Sequence, residues 1–221
     1  MARKKLREQL RQIETEKKLQ QERERISRDL HDNLGAQATA IYYSAENMDG
    51  TQTDRELLGS IKTASQQMLS SLRETIWAMN KEEMSVADVS DRLKVFILQL
   101  NRHYPGVKVH ITENISGNTK LSSQQSLHLL RILQEAMNNA FKHALAKNIY
   151  CEISDINSSI SAIIKDDGIG FQNGDPDGLI CGGDGLLNMQ ERTKAANMKL
   201  EIVSGNGKGT TIHIVSLNKE N

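Results

Sequence analysis

The sequence predicts an α + (α+β) protein: a dimeric helical hairpin, that is, a four-helix bundle, with an N-terminal coiled coil, followed by an α/β sandwich. Three observations predict it. Apolar residues recur every three or four positions through the first 80 residues, the signature of amphipathic helices. A single turn, Asp49-Gly50-Thr51, interrupts that periodicity and makes it a hairpin. After Lys81-Glu82-Glu83 the pattern changes to helices mixed with short strands, the strands gathered late and bordered by glycines. The boundaries are a coiled coil over 1–20, a dimerising helical domain over 21–81 and a sandwich domain over 82–221.

Size and charge leave room for this and for little else. A chain of 221 residues suffices for one large or two small domains. Acidic and basic residues balance at 28 each, so no global field points to nucleic acid as a direct partner. Cys151 and Cys181 have neither metal-ligand spacing nor a framework partner set. No apolar run reaches the ~18 residues a membrane span needs. The expected setting is the cytoplasm. An opening directly on a coiled coil suggests a fragment, the full-length protein being attached to the inner membrane or carrying an N-terminal sensor.

In order, Leu6, Leu10 and Ile13 form a short seam in a basic, polar segment. Its basic residues suit a solvated coiled-coil face better than a lipid-facing stretch. The first long helix is expected to run through Ile41 to Met48. The second runs from Asp54 to about Asn80, with Leu58, Ile61, Ser65, Met68, Leu72, Ile76 and Met79 in its stripe. One hairpin cannot bury both stripes alone, whereas two pair into a bundle, which predicts a homodimer. Trp77 reads as packing. Then follow helix Val86–His103, strand Val107–Thr112, helix Ser122–Leu145, strands Ile149–Ile153 and Ser161–Lys165, and helix Leu186–Ala196. A hairpin of Lys199–Val203 with Thr210–Ser216, turned at Gly205-Asn206-Gly207, closes the chain. The sheet is expected to be antiparallel, with helices on one face.

Four groups of residues carry possible chemistry. In the first helix, His31 falls ~140° from Ile26 on the helical wheel, at the lip of the apolar arc, with Asp32 at ~240° on the wet side. Position alone makes it an ordinary surface histidine. On helix Ser122–Leu145, Leu133, Met137, Ala140, Phe141 and Ala144 cluster with Leu130, while Glu135, Asn139, Lys142 and His143 share the opposite face. A solvated face explains that pattern, and so does a site in which the Asn139 oxygen ligates Mg²⁺ between cationic phosphate partners. Asp166-Asp167-Gly168-Ile169-Gly170-Phe171 follows an Ile-rich strand, where glycines admit a ligand and a carboxylate can accept from an exocyclic amine. Gly182-Gly183-Asp184-Gly185-Leu186 opens a helix whose free N–H groups suit phosphate. It is neither a dinucleotide fingerprint nor a Walker loop. Between the two glycine motifs, Gln172–Cys181 reads as a lid.

With these motifs in this order, the chain resembles a bacterial two-component sensor histidine kinase. It is similar to the subfamily with an H-D-x-L-G phosphoacceptor helix that pairs with helix-turn-helix response regulators. Arg25-Ile26-Ser27-Arg28-Asp29-Leu30-His31-Asp32 matches the R-x-x-R-x-L-H-D motif. The second domain resembles the Bergerat-type ATP-binding fold shared with gyrase and the mismatch-repair ATPases. Glu135-Ala136-Met137-Asn138-Asn139 stands for the N box, Asp166 to Gly170 for the first glycine box and Gly183-Asp184-Gly185-Leu186 for the second. Thr210, after Gly207-Lys208-Gly209, stands where the family has a threonine near adenine. The likeness covers Glu22 to Leu217.

The resemblance implies that His31 accepts a phosphoryl group from ATP and passes it to an aspartate of a response-regulator receiver domain. Asp32 then orients the imidazole or takes its proton. By the same likeness Asn139 ligates Mg²⁺, Asp166 accepts from the adenine amino group, and Lys142 and His143 contact phosphates. Glu135, Gly168, Gly170, Gly183, Gly185, Leu186 and Thr210 line the nucleotide. One departure stands out. Family members that also dephosphorylate their regulator usually carry Gln four residues after the Asp, and here that residue is Ala36. Gln37 falls inside the apolar arc, over ~100° from Asp32, so phosphatase activity is expected to be weak or absent. Two other readings compete: an anti-sigma-type serine/threonine kinase, which has no need of the His31 hairpin, and a non-catalytic dimeric signalling scaffold, which has no need of intact glycine boxes.

Overall fold

The computed structural model describes residues 54–79, 83–116, 119–156, 159–171 and 184–217, with residues 8, 17, 20, 38, 39, 41–43 and 45 of the N-terminal stretch. The chain divides into two compact units, Met1–Glu82 and Glu83–Asn221.

In the first unit residues 38, 39 and 41–43 are helical, as the periodicity predicts, and helix α1 spans Asp54–Met79. Among its described side chains the best covered are Ser71, Thr75 and Ala78, which share one face at i, i+4 and i+7. The Thr75 hydroxyl, buried, donates to the Ser71 carbonyl at 2.8 Å, so its burial leaves no unmet donor. The predicted leucine and isoleucine stripe is covered only in part. Ile41 and Leu72 are half-buried, but Leu58 and Ile76 are exposed at 52% and 48%. A wide apolar arc cannot be closed from one side only, and a single chain supplies one side. The seam at Leu6, Leu10 and Ile13 and the turn at 49–51 lie outside the described residues.

The second unit starts two helices from one ribbon. Strand β1 (Glu83–Ser85) pairs antiparallel with β3 (Lys120–Ser122), and each strand ends in a capping serine. Ser85 caps helix α2 (Val86–Asn101): its hydroxyl accepts from the Asp88 N–H and the Asp88 carboxylate accepts from the Ser85 N–H. Ser122 caps helix α3 (Ser123–Lys142) in the same reciprocal way with Gln125. Each cap satisfies two otherwise orphaned donors and is worth about 1 kcal/mol.

The main sheet has the order β2-β4-β5-β7-β6, with β2 at Lys108–Ile115, β4 at Asn148–Ile156, β5 at Ser159–Asp166, β6 at Met198–Ser204 and β7 at Thr210–Ser216. It corrects the expectation of an antiparallel sheet, because β2 runs parallel to β4 while the other pairs are antiparallel. Parallel neighbours need a long crossover, and α3 is that crossover. Inward residues alternate: Ile149, Cys151 and Ile153 on β4, Ile160, Ala162 and Ile164 on β5, Ile212 and Ile214 on β7. Burial pushes the Cys151 thiol up to about 12, so it packs as a small hydrophobe rather than a nucleophile. At the β2 edge, Glu113 accepts from Lys94 Nζ at 2.7 Å and the Ser90 hydroxyl at 2.5 Å, which ties the strand to α2. Helix α4 (Asp184–Ala195) packs beside α3, and the Gln125 side chain donates to the Ala196 carbonyl just beyond its end.

Candidate functional site

Helix α3 is central, and its buried side includes Leu129, Leu130, Ile132, Leu133, Ala136, Met137, Ala140 and Phe141. What it leaves uncovered is one stripe at helical spacing: Arg131, Gln134, Glu135, Asn138 and Asn139, half-buried, then Lys142 and His143, exposed. The wheel therefore assigns Glu135, Asn139, Lys142 and His143 to the correct side and misses that Arg131, Gln134 and Asn138 continue the same polar strip. Half-burial matters for an oxygen ligand, because it limits the water that competes for it.

The helix stops at Lys142, earlier than predicted. Leu145 takes φ +51°, and the Ala144 carbonyl accepts from the Ile169 N–H at 2.8 Å. The first glycine motif is thereby fastened to the end of α3. Gly168 has no room for a side chain: an added Cβ would overlap the Ala144 carbonyl oxygen and lie 2.7 Å from its carbon. Gly170, at φ +62°, lies as close to the β6–β7 turn, where a Cβ would overlap Gly205 O and lie 2.7 Å from Gly209 O. The Gly207 N–H donates to the Ile169 carbonyl at 2.6 Å. Two backbone segments thus meet with no side chain between them.

At their junction sits Asp166, the last residue of β5 and 5% exposed. Its Oδ1 accepts from the Gly168 N–H at 2.9 Å, and the Thr210 N–H also donates to the carboxylate. Burial nevertheless raises its pKa above the ordinary carboxyl value, the two backbone donors offsetting only part of the desolvation and the Asp167 charge adding to the rise. Gly209, at φ +70°, brings the turn so close that a Cβ there would lie 2.9 Å from the Asp166 carbonyl carbon.

Asp167 does different work. It is exposed and accepts from the Lys147 N–H at 2.8 Å, the Asn148 N–H at 2.9 Å and the Asn148 side-chain amide at 2.7 Å, which holds its pKa below the usual value. A depressed carboxyl pKa gives stability that is present above the unfolded value, near pH 4, and is lost as the pH falls through the folded value. Asp167→Ala is therefore expected to cost about 1 kcal/mol at pH 7, discounted for exposure, and to lose that difference in acid. Urea melts of both proteins at pH 7 and pH 3 check this; an equal difference at the two pH values would contradict it.

The second glycine motif is described from residue 184. Gly185, in the first turn of α4, lies against the Glu135 side chain, and a Cβ there would be 3.2 Å from Glu135 Cδ. Leu186 is half-buried. Gly183, the stretch 172–181, His31 and Asp32 lie outside the described residues. One contributor escaped the sequence reading. The Ser204 hydroxyl touches Phe171, Gly209 and Thr210, and a lone serine at a strand end gives no signal by itself.

A buried carboxylate, backbone loops that exclude side chains and a polar helix stripe beside a helix N-terminus together describe a nucleotide-binding domain. Residues 124–221 match the family described as Histidine kinase-, DNA gyrase B-, and HSP90-like ATPase. Residues 22–84 match the family described as Histidine kinase, and that span includes His31. The sensor histidine kinase DesK of Bacillus subtilis (strain 168) is 28% identical over 212 residues, covering 90% of this chain and 52% of that protein. The signal transduction histidine-protein kinase/phosphatase DegS of Brevibacillus brevis is 26% identical over 201 residues, covering 88% of this chain and 51% of that protein. The chain spans about half the length of these curated relatives. The solved histidine kinase AdeS of Acinetobacter baumannii superposes with a TM-score of 0.55 at 13% identity, over 86% of this chain and 98% of that one, a likeness of fold. The two matches and these relatives together make the chain a two-component histidine kinase, and the ATPase match falls within its second unit. Among the described residues no helix is long and apolar enough to cross a membrane.

Proposed function

We propose that this chain transfers the γ-phosphoryl group of ATP to His31 and then to an aspartate of a response-regulator receiver domain. The observation that carries the reading is the enclosure of Asp166 between two side-chain-free loops beside the polar stripe of α3, in a chain whose other family match spans His31. In the first step the imidazole nitrogen forms the N–P bond, the bond from Pγ to the bridging oxygen breaks, and ADP leaves. Asp32 orients the imidazole or takes its proton, which stabilises the cation that develops. Asn139 is the proposed Mg²⁺ ligand and Lys142 and His143 the phosphate partners. The donor set fits, because a neutral amide oxygen with flanking donors suits a metal that keeps most of its ligands from water and phosphate. A Mg²⁺ held by Asn139 would supply charge neutralisation for the transferred group, and the chain supplies alignment.

The domain limits 1–20, 21–81 and 82–221 belong to the same proposal. So does homodimerisation, which the exposed Tyr42, Leu58, Leu69 and Ile76 of the single chain support. The full-length protein is proposed to place this segment in the cytoplasm, attached to the membrane or joined to a sensor. The identifying experiment uses ATP labelled at the γ-position with Mg²⁺. The label is expected to be acid-labile and alkali-stable, as a phosphoramidate is, and absent from His31→Gln. An acid-stable label would favour a hydroxyl acceptor and reject the reading.

Ala36 bears on dephosphorylation of the regulator. With no amide four residues after Asp32, the phosphorylated regulator is expected to lose phosphate slowly with or without ADP, and Ala36→Gln is expected to accelerate the loss. Gln37→Ala is expected to change nothing, and a drop in dephosphorylation in that variant would contradict the helical-wheel placement.

A further inference from the structure

Ser204, the last residue of β6, sits where the two loops around Asp166 join. Its Oγ accepts from the Phe171 N–H at 2.8 Å, and it lies 3.2 Å from the Gly209 carbonyl oxygen and 2.9 Å from Thr210 Oγ1. The Thr210 backbone N–H donates in turn to the Asp166 carboxylate. One hydroxyl thus links the exit of β5 to the β6–β7 turn and to the side chain proposed to stand near the base.

Proton counting makes this more than a tie. A serine hydroxyl has one proton and two lone pairs. The Phe171 N–H occupies one lone pair, so the Ser204 proton goes either to Gly209 O or to Thr210 Oγ1. In the first arrangement Thr210 donates back to Ser204 and offers a ligand only lone pairs. In the second Thr210 receives a proton and its own O–H is free to donate. We propose that Ser204 is a positioning residue for base recognition: it holds the Thr210 hydroxyl and, by donating to it, lets Thr210 act as the donor beside the Asp166 acceptor. The inference rests on the nucleotide reading above. Adenine presents an amino donor next to a ring-nitrogen acceptor, which an acceptor at Asp166 and a donor at Thr210 match. Guanine presents a carbonyl acceptor next to a ring N–H donor and is opposed at both points. Ser204 would therefore set discrimination between the two bases and not merely hold the turn.

The test measures ATP and GTP affinities of the full chain by calorimetry, with melting curves alongside. Ser204→Ala is expected to weaken ATP about 10-fold, one lost net hydrogen bond, and to leave GTP unchanged. The ATP/GTP ratio then falls about 10-fold, while labelling at saturating ATP proceeds at the wild-type rate. Ser204→Thr, which keeps the hydroxyl, is expected to restore the ratio. An unchanged ratio, or equal weakening of both nucleotides, overturns the proposal. Wild-type protein that binds neither nucleotide overturns the nucleotide reading instead. If Ser204→Ala does not fold, Thr210→Val must lower the ratio by a similar factor, and an unchanged ratio there overturns the proposal too.

Discussion

Gly168→Ala is expected to abolish ATP binding and to destabilise the second unit by about 1–3 kcal/mol, since it forces a methyl group into a filled space. The obstacle is backbone, not a side chain that can swing away: the new Cβ would overlap the Ala144 carbonyl oxygen and lie 2.7 Å from both the carbonyl carbon and Cβ of Ala144. Retreat is opposed by the Ile169 N–H, which bonds the same carbonyl at 2.8 Å. Any shift that relieves the clash also moves the Gly168 N–H that holds Asp166 Oδ1. Binding and stability therefore fall together. Gly106, around which an added Cβ meets nothing within 4 Å, is the control, and Gly106→Ala is expected to stay within about 0.5 kcal/mol of wild type. Calorimetric titration with ATP and urea melts of the two variants check both halves.

Asp166→Asn is expected to separate the two properties that Gly168→Ala loses together. Burial raises the Asp166 pKa, so its folded form holds a proton more tightly than the unfolded chain does. Stability then falls as pH rises from the unfolded value through the folded one, and at pH 7 the buried charge is a cost to the fold. Asparagine removes the charge and keeps an oxygen that can accept from the backbone donors. The variant is expected to melt at or above the wild-type temperature at pH 7, the difference closing below about pH 4, where the wild-type carboxyl is protonated in both states. ATP affinity moves the other way. The carboxylate receives both the Gly168 and the Thr210 N–H, so the carboxamide must turn its one oxygen toward those donors and its NH₂ toward the base. That sets donor against the adenine amino donor, a loss on the order of 100-fold. Retained ATP affinity in a stable Asp166→Asn protein would show that this carboxylate does not read the base.

These two residues also show what is legible in a sequence. D-x-G-x-G after an Ile-rich strand announces a loop that approaches something closely, and Asp166, Gly168 and Gly170 take those positions. The motif does not say that Gly168 meets Ala144 and Gly170 meets Gly205, because those partners are 24 and 35 residues away along the chain and only the tertiary fold unites them. The pair Asp166-Asp167 looks alike in sequence, yet one carboxylate is buried between two loops and the other staples Lys147 and Asn148. Asp166 ends β5 on its buried face, in phase with Ile160, Ala162 and Ile164, whereas Asp167 lies just beyond the strand. The polar stripe of α3 was readable from 3.6-residue periodicity, whereas the parallel β2–β4 pairing was not, because periodicity fixes faces and not neighbours. In α1 the periodicity located the apolar residues but not the best-covered face, Ser71, Thr75 and Ala78.

ATP bound by the second unit is proposed to deliver its γ-phosphoryl group to His31. The most direct measurement follows ATP binding and labelling together in wild type and His31→Gln. Equal ATP affinity in the two proteins, with acid-labile label in wild type only, is the predicted result. A His31→Gln protein that still takes up the same acid-labile label would place the acceptor elsewhere and contradict the account.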